Sequence, residues 1–217
     1  MNYEILKTGS KGNAIVVENK FLLDCGVSYK LIEPYLKDIK LVFISHIHSD
    51  HLNKSTIKRI GENYPNIVFI GNSSVVEQLF KLKIANHIYE IKEDIWFNLK
   101  LCKVKLNYLY HDTPNSCLHL VYNDKKLFYA TDTSKIDYIE AKDYDLYLIE
   151  ANYETDEELD KLIVEAKNKG EYTYLERVRH THLSQLQALN WLDKNVGEHS
   201  KFVFIHQHIE DKKECEE

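Results

Sequence analysis

The sequence predicts an α/β chain, a four-layer αββα sandwich in which two sheets pack face to face and helices cover their outer sides. Three observations carry this expectation. Short apolar runs, LVFI (41–44), IVFI (67–70) and FVFI (202–205), read as strands buried on both faces. Stretches with a helical period follow or precede them. A middle block alternates apolar and polar residues, as strands with one solvated face do. Strands in two groups with helices outside both fit layered packing around a shared core.

Each element follows from local signals. YEIL (3–6), NAIVVE (13–18) and FLLD (21–24) are expected strands, with TGSKGN turning between the first two. Residues 28–37 are expected to be helical, and LVFIS (41–45) to be a strand. Asn53 or Ser55 is placed to cap a helix reaching about Glu62. IVFI precedes a helix from Ser73 to about Leu82. HIYEI, DIWF, KLCKVKLNYLY, CLHLVY and KLFYA form the β-rich middle, and LYLIEA (146–151) returns to a continuous apolar strand. Asp156, Leu159, Leu162, Ile163 and Ala166 then keep a helical period that ends near Gly170, a C-cap candidate. TYLERVRH and LSQLQALNWLDKN extend the helical character before FVFI. One domain is expected over 1–217, with a helical excursion at about 154–196 and a charged tail at 209–217.

The 217 residues are 44% hydrophobic and 29% charged, the balance of a globular domain. The longest apolar runs fall well short of the roughly 20 residues a membrane helix needs. No basic stretch followed by an apolar one opens the chain. A cytoplasmic protein without a membrane partner is expected. Cys25, Cys102, Cys117 and Cys215 lack CxxC spacing and read as reduced thiols. The net charge of −6 argues against a strongly basic surface that clamps long nucleic acid by charge alone, although bound divalent ions would offset much of that charge locally.

The chemistry concentrates in HIHSDH (46–51), directly after LVFI. Its nitrogen and oxygen donors suit zinc, manganese or iron. Donors this close in sequence cannot all surround one ion tetrahedrally. Two ions resolve this, with His46 and His48 on one and Asp50 and His51 on the other. Further donors should come from strand ends. His111 follows LNYLY, Asp132 follows KLFYA, and His206 follows FVFI. His111 is expected to join His46 and His48, His206 to join Asp50 and His51, and Asp132 to bridge the pair. His208 competes with His206 for the last position. His87 and His119 compete with His111, although His119 lies inside an alternating strand, where a packed histidine is commoner.

Together these residues resemble the five motifs of the metallo-β-lactamase superfamily: Asp24 in FLLDCG, the run at 46–51, His111, Asp132 and His206. The resemblance spans nearly the whole chain. The opening TGSKGNAIVVENKFLLDCGVS, LIEAN (148–152) and LERVRHTHLS (175–184) are similar to the WalJ/YycJ-type branch, related to RNase Z and RNase J. The resemblance implies a metallo-β-lactamase-type αββα sandwich holding two divalent cations, zinc first and manganese second. It implies a 5′-to-3′ exonuclease-like phosphodiesterase of DNA or RNA, with Asp24 supporting the ligand shell. A homodimer that shares the substrate groove is common among such relatives. Three departures fall on substrate-side positions. Thr181 stands where glycine precedes the branch's histidine, Tyr153 where histidine follows EAN, and QHIED where serine and asparagine follow the last histidine.

A water bound by such cations has its pKa lowered towards about 7, so hydroxide between the two ions can attack phosphorus at neutral pH. Asp50 is expected to be catalytic as well as a ligand. His182 is placed to donate to a phosphate oxygen or to protonate the leaving oxygen, before a helix that Ser184 is expected to cap, while Arg179, His180 and Ser184 are expected to hold phosphate at that helix N-terminus. Asp50 between the second and third histidines argues against a β-lactamase. The remaining alternatives are a phosphodiesterase of cyclic or other small nucleotides, a glyoxalase II-like thioesterase, and a non-catalytic scaffold.

Overall fold

The structure, a computed structural model, describes residues 1–170 and 174–207. His208, the competing last donor, and the tail at 209–217 lie outside the described residues. One sheet orders β1 (Tyr3–Lys7), β2 (Ala14–Val17), β3 (Phe21–Leu23), β4 (Leu41–Phe43), β5 (Val68–Gly71) and β6 (Ile88–Glu90) side by side. The first three run antiparallel, and β3 to β6 run parallel. The other sheet orders β12 (Lys201–Ile205), β11 (Leu146–Glu150), β10 (Lys125–Ala130), β9 (Asn115–Tyr122), β8 (Lys103–Leu109) and β7 (Phe97–Asn98). There β10, β11 and β12 are parallel and the other pairs antiparallel.

Parallel neighbours need crossovers. These are α1 (Tyr29–Ile32), α2 (Lys54–Asn63) and α3 (Ser73–Lys81) for the first sheet. α4 (Asp156–Asn168), α5 (Leu175–Thr181) and α6 (Gln185–Leu192) join β11 to β12. Side-chain alternation sorts the core into layers. Ile15, Val17, Phe21 and Phe43 meet Leu106, Leu118, Leu120 and Tyr129 between the sheets. Val16, Leu22, Val42 and Phe69 point the other way, onto Ile57 and Ile60 of α2 and Leu79 of α3. On the far side, Phe128, Tyr147 and Ile149 pack under Ala188, Trp191 and Leu192 of α6. Each buried Val, Leu, Ile or Phe among these contributes about 1.5–3 kcal/mol relative to exposure, and the result is the expected αββα sandwich. No described helix is long and apolar enough to cross a membrane.

Three expectations need correction. The helix expected over 28–37 stops after one turn and continues as a 3-10 turn at Glu33–Tyr35. Pro34 explains this, because it has no N–H to donate and its ring crowds the preceding turn. β9 and most of β10 are buried on both faces rather than one, since Ile136, Ile139, Tyr144 and α6 cover the face read as solvated. DIWF contributes only Phe97 to a strand, and Ile95 and Trp96 remain exposed.

One geometric consequence matters for function. β8, β10, β11 and β12 point the same way, so their C-terminal ends meet at a single edge. β4 of the first sheet delivers its C-terminal loop to that edge. His46, His111, Asp132, Glu150 and His206 all sit at or just beyond those ends.

Candidate metal centre

The 46–51 loop is built around Asp24. This carboxylate accepts from Ser45 N at 2.7 Å, Ser45 Oγ at 3.0 Å and Tyr129 Oη at 2.5 Å. It also lies 2.6 Å from His51 Nδ1. Holding Nδ1 fixes the ring so that Nε2 faces the donor cluster. Gly26 makes the crossing beside the loop possible, because a Cβ there would lie 1.6 Å from the Asp50 carbonyl oxygen. Asp24, Asp132 and His206 adopt φ of 58°, 52° and 54°, a left-handed conformation costing a side chain about 1–2 kcal/mol each. That strain gathers where function demands particular side-chain directions.

The expected donors converge as two groups that share Asp132. His46, His48, His111 and Asp132 form one, and Asp50, His51, Asp132 and His206 the other, with the ligand atoms of each group within 4.8 Å of one another. In the first, His48 Nδ1 lies 3.1 Å from His46 Nε2 and 3.3 Å from His111 Nε2. Asp132 Oδ2 is 3.7 Å from His46 Nε2 and 3.9 Å from His111 Nε2. In the second, His51 Nε2 lies 3.4 Å from both Asp50 Oδ2 and Asp132 Oδ2, and His206 Nε2 lies 3.5 Å from Asp132 Oδ1. Tetrahedral zinc with bonds of about 2.05 Å separates its ligands by about 3.3 Å, so this spacing fits a cation at each centre. His206 Nε2 supplies an independent test of fit. It is buried with no hydrogen-bond partner, an arrangement that costs about 1–3 kcal/mol unless something binds the lone pair.

The electrostatics agree. Burial pushes His46 well below the usual imidazole range and lowers His111, so both offer neutral lone pairs. In the second group burial is overridden by charge. The Asp132 and Asp24 carboxylates raise His51 well above its ordinary value, and Asp132 with Asp50 and Glu150 pushes His206 up to about 10. Burial alone would raise Asp50 and Asp132, but His206 and His51 hold both carboxyls well below the usual carboxylate range. The second group therefore calls for positive charge among its carboxylates, and a divalent cation supplies it in place of protons.

His182 lies beside this cluster. Its ring stacks on His206 with centroids 5.3 Å apart, and its Nδ1 sits 2.5 Å from Glu150 Oε1. Burial opposes protonation of His182, yet the Glu150 charge raises its pKa. Glu150 is fully buried at the end of β11, where its Oε2 accepts from Thr133 N at 3.0 Å and Leu183 N at 3.2 Å. Sequence reasoning assigned no role to this residue, although a lone carboxylate closing the apolar run LYLIEA was a visible signal. Asn13 and Asp112 were also missed. The Asn13 amide reaches His51 Nε2 at 3.0 Å, and Asp112 lies 3.3 Å from His48 and 3.2 Å from His111.

The phosphate-holding assignments change. Arg179 pairs with Asp160 and donates to the Asp156 carbonyl, tying α5 to α4. His180 is exposed and does not line the cleft over the donors. Ser184 is 1% exposed and its hydroxyl caps α6, accepting from Gln187 N at 3.1 Å. Helical rotation on α5 separates Arg179 and His180 from Arg177 and Thr181, which are one turn apart and do line that cleft. Arg177 also pairs with Asp112. The cleft encloses about 350 Å³, has donor side chains on its floor, and has Ser10, Tyr174 and Arg177 on its wall.

A family model described as "Beta-lactamase superfamily domain" matches residues 19–207. No curated protein matches the chain. Among solved structures, human tRNase Z, short form (ELAC1), aligns with a TM-score of 0.71 at 18% identity, over 95% of this chain and 93% of that one. The metallo-beta-lactamase fold protein YhfI from Bacillus subtilis aligns at 0.71 and 16% identity, over 98% and 90%. Zn²⁺-bound PqqB from Methylobacterium extorquens aligns at 0.67 and 12% identity, over 95% and 89%. At these identities the likeness shows a shared fold.

Proposed function

The chain belongs to the beta-lactamase superfamily, and from that premise we propose that it is a dinuclear metal-dependent phosphodiesterase, a nuclease acting on DNA or RNA in the 5′-to-3′ direction. The observation that carries the reading is the Glu150–His182 pair stacked against His206. A phosphodiester expels an alkoxide that needs a proton, and His182 is a raised-pKa donor beside the donor cluster. The printed names of two structurally similar proteins, human tRNase Z and a long-form RNase Z from yeast, point towards the same bond type.

His46, His48 and His111 would hold one cation, Asp50, His51 and His206 the other, and Asp132 both. Two divalent cations in these positions, zinc first and manganese second, polarise a phosphoryl group and lower the pKa of an attacking water. The chain's own residues do the rest. Asp24 orients His51, Asp50 and Asp132 carry the negative charge that offsets two cations, and Glu150 keeps the His182 proton available. Arg177 on the cleft wall meets substrate charge. A cleft of this volume admits about one nucleotide, which also suits cyclic or other small nucleotide diesters as the second reading.

The test is hydrolysis of bis-p-nitrophenyl phosphate with added Zn²⁺ or Mn²⁺, lost in Asp50→Ala, followed by 5′-labelled DNA and RNA alongside cyclic mononucleotides. Cleavage of the polymers supports the nuclease. Turnover of cyclic mononucleotides alone favours the second reading, and no diester hydrolysis with either metal refutes both.

A further inference from the structure

An acidic chain that handles a polyanion needs local positive charge, and one groove gathers it. Between α2 and the turn that follows α3 lies a groove of about 830 Å³, lined by Lys54, Lys58, Lys81 and Lys83 with Glu62 as its carboxylate. Its floor depends on Gly61, where a Cβ would come within 2.6 Å of Ile84 Cγ2, so only glycine lets the turn seat against α2. Lys54 and Lys58 stand one helical turn apart on the exposed side of α2. Lys81 is held by Glu77 at 2.6 Å. Among the described residues, no ion pair engages Lys54, Lys58 or Lys83. Lys83 has φ +55° just past the end of α3, a position where glycine is commonest because it avoids the strain a side chain suffers.

The groove is linked to the proposed centre through α2. α2 starts three residues after His51, with Asn53 as its cap, so Lys54 marks the end nearest the metal loop. Ten residues of helix run about 15 Å, room for about four phosphates at a stacked-strand rise of about 3.4 Å. We propose that this groove is a backbone track that holds the phosphates of a nucleic-acid strand while one of its diesters lies over the metal centre. The proposal rests on the nuclease reading and deepens it, since a small cyclic nucleotide has nothing to place there. A concave lysine groove matches a linear polyanion better than a flat lipid surface.

The metal-loaded protein tests it through kcat/KM on 5′-labelled single strands, from a dinucleotide to about 20 nucleotides long. In the unaltered chain kcat/KM rises with length. In Lys58→Glu/Lys83→Glu the rise is flattened, with a loss of about tenfold on the longest strand and little change on the dinucleotide. Lys58→Arg/Lys83→Arg keeps the rise, and Lys58→Gln/Lys83→Gln lowers the slope of log KM against log salt by about 1.4, or about 0.7 per phosphate released. Equal length dependence in the unaltered chain and the charge-reversed variant overturns the track alone. So does an equal loss at every length and on bis-p-nitrophenyl phosphate, which reports a damaged centre. If the unaltered chain hydrolyses bis-p-nitrophenyl phosphate but no strand of any length, the nuclease reading fails and the track fails with it. Binding to phosphatidylglycerol vesicles that depends on these lysines, without binding to oligonucleotides, assigns the groove to a membrane instead.

Discussion

Glu150→Gln tests the proton-donor role of His182 while preserving volume. The Glu150 carboxylate serves two sides at once. Oε2 accepts from the backbone N–H groups of Thr133 and Leu183, and Oε1 faces Nδ1 of both His182, at 2.5 Å, and His206, at 3.4 Å. In a glutamine, the single remaining oxygen must stay with the two buried N–H groups, because leaving them unpaired costs about 1–3 kcal/mol each. The amide NH₂ is then turned towards His182 Nδ1. The charged hydrogen bond disappears, a loss of about 1.5–3 kcal/mol, and the imidazole pKa moves down. His182 then holds its proton less firmly, because burial, which opposes protonation, is offset by the Asp132 charge without that of Glu150.

General acids contribute about 10²–10⁴-fold. Turnover of a dinucleotide, with its poor leaving group, should therefore fall by about 10²-fold at pH 8. Turnover of bis-p-nitrophenyl phosphate should fall by less than about threefold, because its leaving group departs without a proton. The sign of the pH effect follows from the raised His182. In the unaltered chain the basic limb of kcat on the dinucleotide lies above the ordinary imidazole value, and in Glu150→Gln it moves to lower pH. Equal losses on both substrates, or an unmoved basic limb, refute the reasoning.

Two further outcomes follow from the donor cluster. Asp24→Ala strands the Ser45 N–H, Tyr129 Oη and His51 Nδ1, so we expect a loss of about 3–5 kcal/mol in chemical unfolding and metal affinity weaker by about 10–100-fold. A variant with unchanged unfolding and full metal content would show that Asp24 does not organise the loop. In metal-depleted protein, the His206 proton substitutes for a cation. Its folded pKa of about 10 exceeds the unfolded value of about 6.5, so this stabilisation is complete below pH 6.5 and is lost as pH rises through 10. Unfolding midpoints of the depleted protein should decline over that window, and a flat profile would count against the assignment.

The candidate donors were legible because few residue types bind such cations and because strand ends deliver them. His111, Asp132 and His206 each follow an apolar strand by one or two residues, and parallel strands bring those ends to one edge. Glu150 was less legible, since its signal is one carboxylate inside a run that otherwise reads as core, and only the packed sheet shows what it faces. Arg179, His180 and Ser184 share a segment with His182, but neighbours along α5 point in different directions and Ser184 lies beyond it as the cap of α6. Arg177 and Thr181 line the cleft instead. The second buried face of β9 depends on α6 and the segment carrying Ile136 and Ile139, a contact between distant parts of the chain that local alternation does not encode.

The most direct test of the account counts ions. Metal-depleted protein titrated with Zn²⁺, or with Mn²⁺, and freed of excess should retain two ions per chain, falling in Asp132→Ala because both donor groups share that carboxylate. A stoichiometry of one or none in the unaltered chain would contradict a dinuclear centre, and two ions retained without Asp132 would contradict the sharing of that carboxylate by both groups.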